Sequence, residues 1–276
     1  MQDSHFHYIS DFLLRHSGLA LGKEKMYLVK SRLHSLLRPH AMESLAHLID
    51  HVKKDEKGEL AGKVVDAMTT NETLFFRDQY PYDALKTFIL PEMMQDIGMA
   101  GKIRIWSAAS SRGQEPYSIA ITATGAIPMA EKHIQITATD LSDKALAYAK
   151  EGLYSQMEVQ RGMPIKQLVR FFTQEKTSWR VRPEIRNMVT FRSANLISSG
   201  LLSQVRSGGP FNIVFCRNVM IYFTPEERRL VIDRIASSMK KGGYLITGAT
   251  EPAEGKLSKW EVVRFESRNI WRLIHA

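Results

Sequence analysis

Cysteine is almost missing from this 276-residue sequence: Cys216 stands alone. That excludes an internal disulfide framework and fits a reducing compartment. No apolar run reaches the roughly 18 residues that a membrane-crossing helix needs. The opening residues, Gln2-Asp3-Ser4-His5-Phe6-His7, lack the basic and apolar regions of a secretion signal. Internal repeats and low-complexity tracts are also lacking, which excludes solenoids and disordered linkers. These absences predict a soluble, cytoplasmic, globular chain with no membrane insertion. Its length allows one large domain, or a domain with a smaller companion. Acidic charge is the other thing in short supply: 29 acids against 38 bases leave a net charge of +9. Such a surplus suits an anionic partner, whether nucleic acid, anionic lipid or an acidic protein face. A generic basic surface gives the same count, so the motifs must choose.

Residues 1–75 read as an N-terminal helical domain. Apolar positions recur at helical spacing in Ile9, Phe12 and Leu13, in Leu28, Val29, Leu33, Leu36 and Leu37, and in Leu45, Leu48, Ile49 and Val52. Residues 76–276 read as an α/β domain. Strands are predicted over 102–107, 134–139, 211–215 and 244–247, with helices over 115–124 and 142–150 between them. Thr224-Pro225-Glu226-Glu227 has a cap residue followed by proline and so starts another helix, which Gly242-Gly243 is expected to end. Trp260–Phe265 and Ile270–Ile274 read as a closing hairpin. Strands alternating with helices predict an open, mostly parallel sheet with an antiparallel strand at or near its edge. Residues 152–192 break the alternation and read as a small inserted subdomain. It holds a helix over Ile165–Phe172 and strand-like runs at Trp179–Arg182 and Asn187–Arg192.

Four segments carry chemistry-bearing residues. The first predicted strand runs into Ser107-Ala108-Ala109-Ser110-Ser111-Arg112-Gly113-Gln114-Glu115, whose small residues allow a ligand close to the backbone. The second strand ends at Asp140, an acid placed for a ribose hydroxyl pair. Asp140 can equally cap the next helix, unless Ser142 does so. The segment Thr69-Thr70-Asn71-Glu72-Thr73-Leu74-Phe75-Phe76-Arg77-Asp78 sets an arginine suited to a carboxylate beside a polar cluster. Its alternative is a helix cap at Thr70 or Asn71 with two core phenylalanines. Cys216-Arg217-Asn218-Val219-Met220-Ile221-Tyr222-Phe223 leaves the end of a buried strand, where open α/β sheets place ligands. Cys216 lies within an apolar run and is a poor nucleophile candidate.

Together these segments, with Asn195-Leu196, resemble the chemoreceptor glutamate methyltransferase family, the CheR type. The likeness spans about residues 10–272. It implies a Rossmann-like S-adenosylmethionine (SAM)-dependent methyltransferase domain with an N-terminal helical domain and a small inserted β-subdomain. Carried over by position, the cofactor contacts are Asn71, Thr73, Arg77, Glu115, Asp140, Asn195, Leu196, Arg217 and Asn218. Arg77 and Tyr222 are expected near the transferred methyl. The resemblance also implies S-adenosylhomocysteine as product and the cytoplasmic helical coiled coil of chemoreceptors as partner, with the enzyme a monomer. Lys25, Lys30, Arg32 and Arg38, with Lys23, form the expected receptor-facing surface; Lys25 and Arg32 are seven apart, as on one helix face. The family often carries Gly-Cys-Ser at Ala109-Ser110-Ser111 and a small residue at Arg112. Relatives that dock on a receptor C-terminal peptide share a glycine-containing loop after the Phe-Phe pair. Here Phe171-Phe172 is followed by Thr173 to Trp179 without glycine, which predicts independence of such a tether.

Glutamate is ionised at neutral pH, with a pKa near ~4.3, so methyl transfer to it needs no general base. The sequence agrees in offering no His–Asp or Cys–His constellation. Seven of the nine histidines fall in residues 1–51 without metal-ligand spacing, and no metal is expected. Two rival readings stand beside this one. One is a SAM-dependent RNA methyltransferase, suggested by the basic charge but lacking an Asn-Pro-Pro-Tyr-type motif and an RNA-binding module, so no nucleic acid partner is expected. The other is a non-catalytic SAM-binding scaffold on the same fold.

Overall fold

The computed structural model of the chain describes residues 2–98, 101–251 and 257–275. It divides into two compact units, one of Met1–Thr70 with Tyr222–Glu227, the other of Asn71–Ile221 with Arg228–Ala276.

The first unit is built on helices Asp3–Ser17, Met26–Leu37, Leu45–Lys54 and Glu59–Met68. Each buries one stripe: Phe6, Ile9, Phe12 and Leu13 on the first, Leu48, Ile49 and Val52 on the third. Gly18 stops the first helix in the left-handed conformation that glycine tolerates best (φ 75°). Ser44 caps the third by accepting the His47 N–H at 3.2 Å. Lys25 belongs to a short 3-10 turn, Lys23–Lys25, ahead of the second helix. The expected seven-residue face with Arg32 therefore does not lie on one regular helix.

The second unit carries a seven-stranded sheet and a three-stranded one. The strands are β1 Ile103–Ala108, β2 Ile134–Asp140, β3 Leu153–Ser155, β4 Phe172–Glu175, β5 Ser178–Val181, β6 Val189–Ser193, β7 Phe211–Cys216, β8 Met239–Thr247, β9 Trp260–Phe265 and β10 Arg268–Leu273. The large sheet runs β6-β2-β1-β7-β8-β10-β9. Its first five strands are parallel, and β10 and β9 close it antiparallel. All six residues of β1 and of β7 are buried, as befits central strands covered on both faces. Helix Gln114–Ala126 follows β1 and buries its first ten residues. Helices Asp143–Glu151 and Pro225–Ser238 follow β2 and β7. This is the predicted Rossmann-like arrangement, with the strands' carboxyl ends on one edge.

Two further sequence expectations are corrected in this unit. Gly242-Gly243 does not end a helix: the helix stops at Ser238, and both glycines lie inside β8. Pairing jumps there from Phe211↔Met239 to Ile213↔Tyr244, so the glycines serve a bulge. A left-handed glycine such as Gly242 (φ 80°) marks a helix stop and a bulge alike, so the local signal is ambiguous. The run Asn187–Arg192 is not part of the insertion; it forms β6, which pairs with β2 at the edge of the large sheet. The inserted elements proper are β3, β4 and β5 with helices Gln156–Gln160 and Ile165–Phe171. β4 and β5 meet through a two-residue turn, Lys176-Thr177, flanked by the pair Glu175↔Ser178.

Candidate functional site

The loop after β1 holds three left-handed residues at alternate positions: Ala109 (φ 64°), Ser111 (φ 50°) and Gly113 (φ 92°). A Cβ at Gly113 would press on Ala149 and on the Tyr154 hydroxyl at 2.9 Å, so glycine there permits close packing as well as the turn. Asp140, at the end of β2, shapes this loop. Its Oδ2 accepts the Ser111 N–H at 2.7 Å and its Oδ1 accepts the Ser142 N–H at 2.9 Å. Ser142 caps the next helix by accepting the Ala145 N–H, so the cap does not fall to Asp140.

Glu115 and Arg217 form the buried centre of the site. Glu115 Oε1 accepts the Ser107 hydroxyl at 2.8 Å, and Oε2 accepts Arg217 at 2.9 Å. Arg217 also donates to Asp78 Oδ2 and to the Arg77 carbonyl, both at 2.8 Å. Its guanidinium lies over the Tyr82 ring, 5.9 Å from the centroid. Burial pushes the Glu115 carboxyl above its ordinary range, and Arg217 and Ser107 pull it part of the way back. Burial also opposes charge on Arg217, but Tyr82, Glu115 and Asp78 outweigh it and hold the guanidinium protonated. Burial pushes the Cys216 thiol well up, which keeps it unreactive.

The segment 71–78 is stitched to this centre at four points. Besides the two bonds from Arg217, Ser111 Oγ donates to the Asn71 carbonyl at 2.9 Å and the Phe76 N–H donates to Ser118 Oγ at 3.0 Å. Phe75 is fully buried and meets Tyr154 and Phe172 edge-on. No helix starts at Thr70 or Asn71, so these residues are not caps; the next helix begins at Tyr80. The side chains of Thr73 and Arg77 are half-buried and make no hydrogen bond or ion pair among the described residues.

At the end of β6, Asn195 Oδ1 accepts the Ile197 N–H, and Leu196 is buried. Asn218 follows Arg217 in the left-handed conformation (φ 58°). Its N–H donates to Glu251, which also accepts the Gly248 and Ile221 N–H groups at 2.9 and 3.2 Å. Tyr222 belongs to the first unit, where its carbonyl accepts the Ala20 N–H at 3.0 Å.

The structure thus gathers Asn71, Thr73, Arg77, Glu115, Asp140, Asn195, Leu196, Arg217 and Asn218 in one unit, at or beside the carboxyl ends of β1, β2, β6 and β7. Sequence reasoning missed Asp78, Ser107, Ser111 and Glu251. Asp78, Ser107 and Ser111 sat inside quoted motifs, but only the fold shows what they hold. The residues suit a ligand rich in hydroxyl and charged groups. Among the described residues, Ser110 Oγ, Gln114 Oε1 and Arg217 Nε are buried polar atoms without a protein partner, and the side chains of Thr73 and Arg77 make no hydrogen bond or ion pair.

Of the expected receptor-facing residues, Lys30 and Arg38 are exposed and Lys25 is half-buried. Arg32 is engaged in its own unit: it donates to the Met68 and Thr69 carbonyls at 2.7 and 3.1 Å and to Thr70 Oγ1 at 3.0 Å. It closes the open carbonyl end of helix Glu59–Met68. Among the described residues no cluster of ligating side chains could hold a metal, and no helix is long and apolar enough to cross a membrane.

A family model described as "CheR methyltransferase, SAM binding domain" matches residues 71–268, and one described as "CheR methyltransferase, all-alpha domain" matches residues 4–69. The chain is 42% identical over 270 residues to chemotaxis protein methyltransferase 1 of Pseudomonas aeruginosa, covering 95% of this chain and 94% of that one. It is 40% identical over 281 residues to the chemotaxis protein methyltransferase of Vibrio parahaemolyticus, covering 99% and 98%.

Proposed function

The chain belongs to the CheR methyltransferase family, and from that premise we propose that it transfers the methyl of SAM to glutamate side chains on the cytoplasmic coiled coil of chemoreceptors, giving methyl esters. The coarser statement stands without proposal: it is a SAM-dependent methyltransferase of chemotaxis.

The observation that carries the finer reading is that the acids at the strand ends already have work. Glu115 holds Ser107 and Arg217, Asp140 holds two backbone N–H groups, and Glu251 holds three. A site whose carboxylates are committed suits a nucleophile that arrives already charged, as a glutamate does with its pKa near ~4.3. SAM, when bound, would supply a methyl activated by its sulfonium; a substrate carboxylate oxygen would take that methyl as the carbon–sulfur bond breaks and S-adenosylhomocysteine leaves. The protein's part is then orientation, which can contribute roughly 7–11 kcal/mol. Asp140 would hold the ribose hydroxyls, Asn195 and Leu196 the adenine, and Asn71, Thr73 and Asn218 the remaining polar edges. The unpaired Arg77 suits a carboxylate, which is the methionine's in this reading, near the transferred methyl. Glu115 has a lone pair left for the methionine ammonium. Arg217, whose Nη groups are taken by Glu115, Asp78 and the Arg77 carbonyl while its buried Nε has no protein partner among the described residues, sets Glu115 from one side. Tyr222 would orient the substrate carboxylate.

For the partner, Lys30, Arg38 and Lys25 offer positive charge to an acidic helical surface, while Arg32 serves its own helix end. The two-residue turn between β4 and β5 supports the tether-independent reading, because it is about as short as a hairpin connection can be. In this reading the enzyme works in the cytoplasm as a monomer.

The test is to incubate the purified protein with methyl-labelled SAM, receptor cytoplasmic fragments and an RNA pool. Base-labile label on a receptor, lost in Asp140→Ala, is the expected result. Label on RNA would move the target to nucleic acid. SAM binding without transfer to any receptor would favour the scaffold reading. Tight binding of a receptor C-terminal peptide would overturn tether independence.

A further inference from the structure

Glu251 stands four residues beyond the end of β8 and belongs to none of the motifs read from the sequence. Only 5% of it is exposed, yet its carboxylate makes no ion pair among the described residues. It faces three backbone N–H groups instead. Oε2 takes Asn218 and Gly248, and Oε1 takes Ile221 at 3.2 Å. The loop that carries Glu251 is itself pinned. The Glu251 N–H donates to the Gly248 carbonyl at 3.0 Å, Thr247 Oγ1 donates to the Glu251 carbonyl at 2.7 Å, and Tyr80 OH donates to the Thr247 carbonyl at 2.8 Å.

Asn218 takes φ 58°, a left-handed conformation that asparagine adopts more readily than most side chains, and the Glu251 carboxylate fixes the N–H groups on either side of that turn. Its neighbour Arg217 is held from the other side by Glu115 and Asp78. The end of β7 is therefore clamped between two sets of charge-assisted bonds, one through the Arg217 side chain and one through the Asn218 and Ile221 N–H groups. Gly248 leaves the room for it: a Cβ there would run into Glu251 Oε2 and come within 3.1 Å of the Asn218 nitrogen.

We propose that Glu251 is a positioning residue for methyl transfer: by gathering the Asn218, Ile221 and Gly248 N–H groups on one carboxylate, it holds the turn after β7 in the conformation that presents Asn218 to the cofactor. The inference rests on the reading of Asn218 as a cofactor contact.

The test measures S-adenosylhomocysteine affinity by calorimetry, with melting temperature in parallel, for Glu251→Ala, Glu251→Gln, Gly248→Ala and Asn218→Ala in the full chain. Glu251→Ala leaves three N–H groups without their acceptor and is expected to weaken binding about tenfold or more. Glu251→Gln can keep the Oε2 bonds but turns an amide NH2 toward Ile221, so it should fall between wild type and Glu251→Ala. Gly248→Ala keeps the charge and forces the same turn apart, and it should weaken binding in the same direction. A purely structural Glu251 would lower the melting temperature and leave the affinity of the folded protein unchanged. Wild-type affinity in folded Glu251→Gln and Gly248→Ala, with Asn218→Ala weakened, overturns the proposal even if Glu251→Ala does not fold. Wild-type affinity in Asn218→Ala overturns instead the reading of that residue as a cofactor contact, and the proposal with it.

Discussion

In the helical unit Lys23 meets Asp3 and Lys63 meets Glu59 with side chains from 43% to 83% exposed, whereas in the sheet unit Arg217 meets Glu115 and Asp78 with 1% of its side chain exposed. Both are ion pairs, but they do different work. Water screens the first kind, and such pairs contribute little to stability. Their neighbours Lys30 and Arg38 stay available to a partner. The second kind is shielded at Arg217 and Glu115, where burial works against charge and the pairing works for it. The comparison teaches that charge on the helical unit stays largely at the surface, while charge at the strand ends of the sheet unit shapes the site. Arg32 marks the exception: it sits among the exposed bases yet is spent on backbone carbonyls.

The hardest blow to this comparison would be a harmless Arg217→Met. Removing the cation leaves Glu115 and Asp78 without it, and the expected loss is about 3–5 kcal/mol in urea unfolding, with cofactor binding lost too. A loss within surface-mutation range would mean that the buried network is not a unit. Asp140→Ala should cost less stability, about 2 kcal/mol for two released N–H groups. In calorimetry it should weaken S-adenosylhomocysteine binding by about 30-fold or more.

Glu56 tests the exposed side. His16, Tyr8 and Arg15 hydrogen-bond its carboxylate and bring its pKa from the ordinary 4.5 down to about 2. A depressed carboxylate contributes stability that is present above pH 4.5 and is lost as pH falls toward about 2. Wild type should therefore exceed Glu56→Gln in urea midpoint at pH 7, and the gap should close as the pH is lowered through that window. A gap that is constant with pH would mean that the contacts do not depend on the charge.

The smallest stability effect belongs to Lys30→Glu with Arg38→Glu, within about 0.5 kcal/mol of wild type. The same double variant should lower kcat/KM toward the receptor fragment, and the difference should shrink with added salt. Unchanged kcat/KM at low salt would remove these residues from the receptor-facing surface.

Much of this was readable from local pattern. β1 and β7 announced themselves as short apolar runs and Asp140 as an acid closing a strand, while Asp140 and Ser142 stood as alternative caps until the structure gave the cap to Ser142. Gly242-Gly243 misled because a left-handed glycine looks the same before a strand bulge as after a helix. Val189–Ser193 misled because a five-residue strand carries no mark of which sheet it will join.

The sequence by itself determined the main alternation of strands and helices, the small-residue loop after β1 and the impossibility of an internal disulfide. Apolar periodicity, turn residues and cysteine count act over a few neighbouring positions or over the whole composition. Only the tertiary structure decided that Arg217 answers Glu115 across 102 residues and that Glu251 gathers the Asn218 N–H across 33. The reason is physical: a buried charge takes whichever partner the packed chain brings within hydrogen-bond reach, and nothing in the local sequence records that distance.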